Sequence, residues 1–309
     1  MILLLLGVQL AFASWSIVGK VTLGVVPPFA LTWLRLLGGA LFFGLFALKT
    51  GRPLLPPRQE RREIVGLSLS GLVINQLCFT VGLARTSAVE TTLLVATIPV
   101  FAVLYAVLSG RDRVSLRLVL GIGCALAGVS LVALRHGPTT ASAHTSHLLG
   151  NILILANSAS YAVYLVRARP VFARHGAFTV LSWIFTVAAL CVAPLGLLSL
   201  CSAGSHFGAR IWCAIAYVVL VPTLFAYGAN AWALARASST LVAAFIYLQP
   251  GIAVILAVSL GDKLALWLGV TPPHERFTLR TLLGLVAILL GVAITTRRSP
   301  ASNARTVGK

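Results

Sequence analysis

Carboxylates are scarce in this chain: six among 309 residues, against 24 lysines and arginines. Glu60, Glu63, Glu90, Asp112, Asp262 and Glu275 are spread out rather than grouped. Catalysis by a membrane-embedded site needs a clustered set of acid, base or metal ligands, and six dispersed carboxylates argue against it. Cys78, Cys124, Cys191, Cys201 and Cys213 form no C-x-x-C pair and no metal-ligand spacing. They read as small apolar residues, with a Cys201–Cys213 bridge at neighbouring outer helix ends left open. No G-x-S-x-G, H-E-x-x-H or P-loop occurs. His136, His144, His147, His175, His206 and His274 fall at or beyond the ends of apolar runs and read as loop residues. His144 and His147 are three apart but lack further ligands. The expectation is no enzyme, no metal and no cofactor.

Charge as a whole is scarce. Only 10% of residues are charged, where a soluble domain carries about 25%. With 59% hydrophobic residues and a mean hydropathy of +0.98, the composition is that of an all-α polytopic membrane protein. The net charge of +18 is scattered through short loops without interleaved aromatics, which excludes a nucleic-acid surface. Short polar connections also leave no room for a soluble domain.

Ten apolar runs are present, at about 2–19, 29–48, 64–83, 88–109, 116–134, 148–167, 178–200, 210–233, 239–260 and 279–296. No basic segment precedes Ile2, and its run leads straight into the next, so it reads as a span rather than a cleaved leader. If the N-terminus is inside, the inward segments hold 16 of the 24 basic residues. Positive charge concentrates on the cytoplasmic side, so both termini are expected to be cytoplasmic in a cell (inner) membrane.

The chain repeats itself. "ARTSAVETTLLVATIPVFAVLYAVLSG" (84–110) aligns with "ARASSTLVAAFIYLQPGIAVILAVSLG" (235–261) at a constant offset of 151, pairing Pro99 with Pro250 and Gly110 with Gly261. "GIGCALAGVSLVAL" (121–134) aligns with "GLVAILLGVAITT" (284–296) at an offset of 163, so the second copy carries an insert of twelve residues within 263–277. Fainter echoes pair "ASW" (13–15) with "ASY" (159–161), and "FALTW" (29–33) with "FTVLSW" (178–183). Each copy holds five runs. Five is odd, so the second copy enters from the opposite side, which gives two inverted five-helix repeats.

These segments resemble the two EamA-type repeats of the drug/metabolite transporter superfamily. The likeness rests on a Pro in the fourth and ninth helices, a charged helix exit after Gly, and glycines seven apart in the following helix. It covers nearly the whole chain. The first exit departs from the family's Gly-Glu, reading Gly110-Arg111-Asp112; the second reads Gly261-Asp262-Lys263. The resemblance implies ten helices, export or exchange of small metabolites, and a cavity between halves 1–135 and 148–297, followed by a cytoplasmic tail at 298–309.

Polar residues inside spans usually face a bundle or a cavity, because lipid penalises them. The cavity candidates are Trp15, Asn75, Glu90, Thr97, Asn157, Tyr161, Tyr227, Asn230, Tyr247 and Gln249. Plain interhelical hydrogen bonding fits the same spacing. Trp15 and Tyr161 are repeat mates. Pro99 and Pro250 are expected to kink their helices. Gly121, Gly128, Gly284 and Gly291 permit close contact, within the fold or in a homodimer. Arg35, about six residues into its span, reads as snorkelling outward, with anion binding the sharper alternative. Ser87-Ala-Val-Glu90 has the spacing of a capping box, and a solute or proton site is the second reading of Glu90. The expected function is secondary transport of a small organic metabolite, as an exporter, with lipid and solute as partners. Uptake of an amino acid or related solute is the alternative, and a membrane-embedded enzyme a more distant one.

Overall fold

The computed structural model describes residues 1–110, 116–133, 141–202, 207–236, 245–272 and 278–296. Among them every regular element is helical. In chain order they are α1 (Ile2–Thr22), α2 (Pro28–Lys49), α3 (Arg58–Arg85), α4 (Ala88–Leu108), α5 (Leu116–Ala133), α6 (Ala141–His175), α7 (Ala177–Ser202), α8 (Ala209–Arg236), α9 (246–268) and α10 (Leu279–Thr296). Eight are long and apolar enough to cross a membrane: α1 to α4 and α6 to α9. Shorter apolar helices, Val119–Leu131 and Leu279–Gly291, lie within α5 and α10. A helix satisfies its backbone groups internally, so long apolar sequence in lipid has few other options.

The ninth run differs from its expected limits of 239–260. Residues 237–244 lie outside the described part, and the helix continues to Leu268. The first part of the insert at 263–277 is helical: "KLALWL" extends the helix, because its apolar residues continue the pattern. Gly269 ends it in the left-handed region, with φ 73°, and the N–H of Val270 reaches back to the carbonyl of Ala265. Residues 273–277 and the tail at 298–309 are outside the described part.

Helices pair closely where one offers glycine. α2 lies along α7, where a methyl on Gly39 would sit 2.2 Å from the Phe185 ring and one on Gly196 2.2 Å from Trp33. α5 lies along α10: a methyl on Gly128 would meet the carbonyl of Gly284 at 2.7 Å, and one on Gly291 that of Gly121 at 2.5 Å. The seven-residue glycine pairs therefore serve packing within the fold. α1 packs against α8 and α9, and α6 against α3 and α4.

Four interruptions bear on the cavity described below, apart from a third π-helical turn at Ala257–Gly261 in α9. α4 breaks between Val95 and Ile98, and its second segment starts with Pro99 in the first turn. A short 3-10 turn, Ile246–Leu248, precedes the segment that starts with Gln249 and Pro250. Proline is well placed in a first turn, where its missing N–H costs nothing. α3 widens into a π-helical turn at Leu69–Ile74, and α8 does so at Val219–Phe225, around Pro222. Such wide turns are uncommon and often accompany functional sites. Moving 69–74 by the 151-residue offset lands it on 220–225, so the two wide turns occupy equivalent places.

Candidate functional site

Seven helices surround a narrow central cavity with about 690 Å³ of atom-free space, its open mouth included. α1 contributes Gln9, Phe12, Trp15 and Ser16; α2, Arg35; α3, Asn75, Gln76 and Phe79; α4, Thr92, Val95 and Ile98. α6 adds Asn157, Tyr161 and Leu165; α8, Tyr227 and Asn230; and α9, Ile246 and Gln249.

The two wide turns set this up. Asn75 and Gln76 follow the turn in α3, and Tyr227 follows the one in α8. Thr223, inside the second turn, donates to the Val218 carbonyl at 2.9 Å, a partner the widened helix leaves free. From these places a polar chain crosses the bundle. Arg35 Nη1 donates to Gln76 Oε1 (2.5 Å), and Gln76 Nε2 donates to the Tyr227 hydroxyl. Tyr227 donates to Asn75 Oδ1 (3.3 Å), and Asn157 Nδ2 donates to the Asn75 carbonyl (2.9 Å). Beside this chain, Asn230 Nδ2 donates to the Tyr161 hydroxyl (3.1 Å), and Gln249 Nε2 to Gln9 Oε1 (2.7 Å). Buried polar groups in a membrane bundle need such partners.

Of the residues singled out in the sequence, Trp15, Asn75, Asn157, Tyr161, Tyr227, Asn230 and Gln249 line this cavity. Thr97 does not: it is buried at the break in α4 and donates to the Leu94 carbonyl (2.6 Å). The Tyr247 side chain lies outside the described part. Tyr164 turns away and packs on Gly71 and Phe172. Gln9, Gln76, Phe79 and Thr92 were not anticipated. Their only sequence signal is polar or aromatic character inside an apolar run. Arg35 is a correction. Rather than snorkelling outward it is 2% exposed, tied inward to Gln76 and Thr223, with its guanidinium carbon 4.0 Å above the Trp15 ring. Desolvated cation–π contact and neutral acceptors hold it in the bundle.

Glu90 sits away from the cavity. Ser87 caps α4 by accepting from the Glu90 N–H (3.1 Å), which is half of a capping box. The carboxylate accepts instead from Thr86 Oγ1 (2.9 Å) and lies 2.8 Å from His147 Nε2. His147, expected in a loop, is on α6, and this pair joins α4 to α6. At the other end of α6, His175 meets Glu60 at 2.5 Å, and Arg174 meets Glu63 at 3.0 Å. His144 has no described side chain. His136, His206 and His274 lie outside the described residues. Among the described residues no cluster of three or more metal-ligating side chains occurs, and the five cysteines are free.

An apolar helical bundle enclosing a cavity lined by amides, hydroxyls and aromatic rings defines a multi-pass membrane protein with an internal cavity. The EamA-like transporter family model matches residues 1–134 and again 148–297, and the chain belongs to that family. An uncharacterized transporter of Archaeoglobus fulgidus is 27% identical over 256 residues, covering 82% of this chain and 87% of its own. A protein of Streptantibioticus cattleyicolor named "Probable terminal-alkyne amino-acid exporter" is 25% identical, covering 78% of this chain and 75% of its own. An uncharacterized transporter of Bacillus subtilis is 27% identical, covering 87% and 81%. A crystal structure 20% identical to this chain shares its fold, with a TM-score of 0.64 over 99% of this chain and 98% of that one.

Proposed function

We propose that the protein is a secondary transporter of the cell membrane that carries a small organic metabolite outward by alternating access. In this reading ten spans form two inverted five-helix halves, 1–135 and 148–297, with both termini cytoplasmic. The observation that carries it is the cavity itself. Residues of both halves build it, and repeat-equivalent side chains, Gln76 and Tyr227, touch within it. A residue can touch its own repeat mate only near the axis relating the halves. Two similar halves about such an axis can rock and open a central site to each side in turn. The mutual exchange of first helices, α1 onto α8 and α9 and α6 onto α3 and α4, supports the same symmetry. The exporter named among the relatives supports the outward direction.

Proteoliposomes filled with a small-metabolite extract test this. They should release a subset of solutes faster than protein-free vesicles. Unchanged solute content would contradict transport, and new products in place of release would favour a membrane enzyme.

A further inference from the structure

We propose that the solute is an organic carboxylate, held through its carboxylate group by the guanidinium of Arg35. The inference rests on the cavity being the transport site.

Among the described residues Arg35 is the one lysine or arginine lining the cavity, and its partners there are all neutral. Its Nε donates to Thr223 Oγ1 (2.9 Å), its Nη1 to Gln76 Oε1 (2.5 Å), and its carbon rests on Trp15. Nη2 makes no hydrogen bond to the described protein. Of the five N–H groups a guanidinium offers, three remain for a ligand.

Among the described residues no carboxylate pairs with Arg35. Glu60 and Glu63 meet Arg174 and His175, Glu90 meets His147, and Asp262 is exposed. Buried charges are normally paired, and an ionisable group inside a membrane bundle usually serves solute or ion. A cation kept without an anion beside a cavity wants that anion from the solute.

The form of the site narrows the chemistry. The planar guanidinium fork fits a carboxylate in a bidentate way. One cation balances one negative charge, whereas a doubly charged phosphate would leave a charge unmatched. The amides and hydroxyls of the polar chain can bind uncharged polar groups, while Phe12 and Phe79 offer apolar surface to the rest of the molecule. A solute with a net positive charge would face Arg35 with no acid among the described cavity residues to offset it.

Affinity selection tests the assignment without depending on transport. Full-length protein in nanodiscs is incubated with a defined mixture of aliphatic and aromatic monocarboxylates, the matching primary amines and the matching amides. Retained molecules are identified by mass spectrometry. The wild type should retain carboxylates over both other classes, and inorganic phosphate at equal concentration should not displace them. Arg35→Gln should lose carboxylate retention about tenfold or more and shift preference toward the amides, while Arg35→Lys keeps part of it. Retention of amines or amides over carboxylates, retention of none, displacement by phosphate, or unchanged selectivity in a folded Arg35→Gln protein would overturn the assignment. If Arg35→Gln does not fold, the wild-type preference decides alone. Carboxylates retained in nanodiscs but not moved in proteoliposomes would support the Arg35 site and contradict the transport reading.

Discussion

Gln76 donates to the Tyr227 hydroxyl across the centre of the bundle, and the two residues are 151 positions apart. That is the offset that aligns Pro99 with Pro250 and Gly110 with Gly261. Each follows a widened helical turn. The contact ties α3 to α8 and passes the hydrogen-bond chain from Arg35 on to Asn75.

Tyr227→Phe keeps the ring between Phe12 and Phe185 and removes only the hydroxyl. Gln76 Nε2 and Asn75 Oδ1 each lose a partner. The expected cost is about 1 kcal/mol, read as a melting temperature lower by a few degrees in detergent. Solute release should fall more than stability does. A variant with wild-type melting and wild-type release would remove this chain from the mechanism.

At the entry to α4, Ser87→Ala should cost about 1 kcal/mol by exposing the Glu90 N–H. The Glu90–His147 pair is a separate interaction, with side chains 12% and 14% exposed respectively. Glu90→Gln, His147→Gln and the double variant, compared by thermal melting, should give a coupling of about 1 kcal/mol. Strictly additive effects would mean that the pair contributes nothing to the α4–α6 contact.

Packing of α5 on α10 makes a stricter demand. A side chain at Gly291 would run into the backbone at Ala125 N and the Gly121 carbonyl, both 2.5 Å from its Cβ. Backbone cannot swing aside as a side chain can. Gly291→Leu should destabilise by about 1–3 kcal/mol, whereas Gly44→Leu, with nothing within 4 Å, should be nearly neutral in detergent. Equal melting temperatures for the two would contradict the pairing.

The proposed orientation is checked by chemical labelling. In a background without the five free cysteines, single cysteines at 135–147 should react with an impermeant thiol reagent added outside. Single cysteines at 50–62 should react only after the membrane is opened. The reverse pattern would invert the topology.

Much of this was written in local sequence pattern. Long apolar runs give helices wherever lipid removes the competition from water, so the all-helical character of the described residues was legible. Polar residues inside runs were legible as a group, because lipid penalises each one. Asn75, Asn157, Tyr161, Tyr227, Asn230 and Gln249 do converge on one cavity. Which polar groups pair was not legible, since pairing depends on how helices far apart in sequence are rotated. Glu90 was therefore read with its own Ser87, while its carboxylate found His147 on α6. Arg35 shows the same limit: its depth suggested an outward reach, but Trp15, Gln76 and Thr223 on three other helices turn it inward. The wide turns escaped notice because no residue type marks them uniquely; Pro222 in α8 is a cue, and α3 has no proline there.

Alternating access is the central claim, and paired spin labels test it most directly. One pair spans the ends of α4 and α6 near Glu90 and His147; the other spans α3 and α6 near Glu60 and His175. Distances measured by pulsed electron resonance in proteoliposomes should show two populations at each end. When solute or an imposed gradient lengthens one end, the other should shorten in step. A single unchanging distance at both ends, in protein that moves solute, would contradict the account.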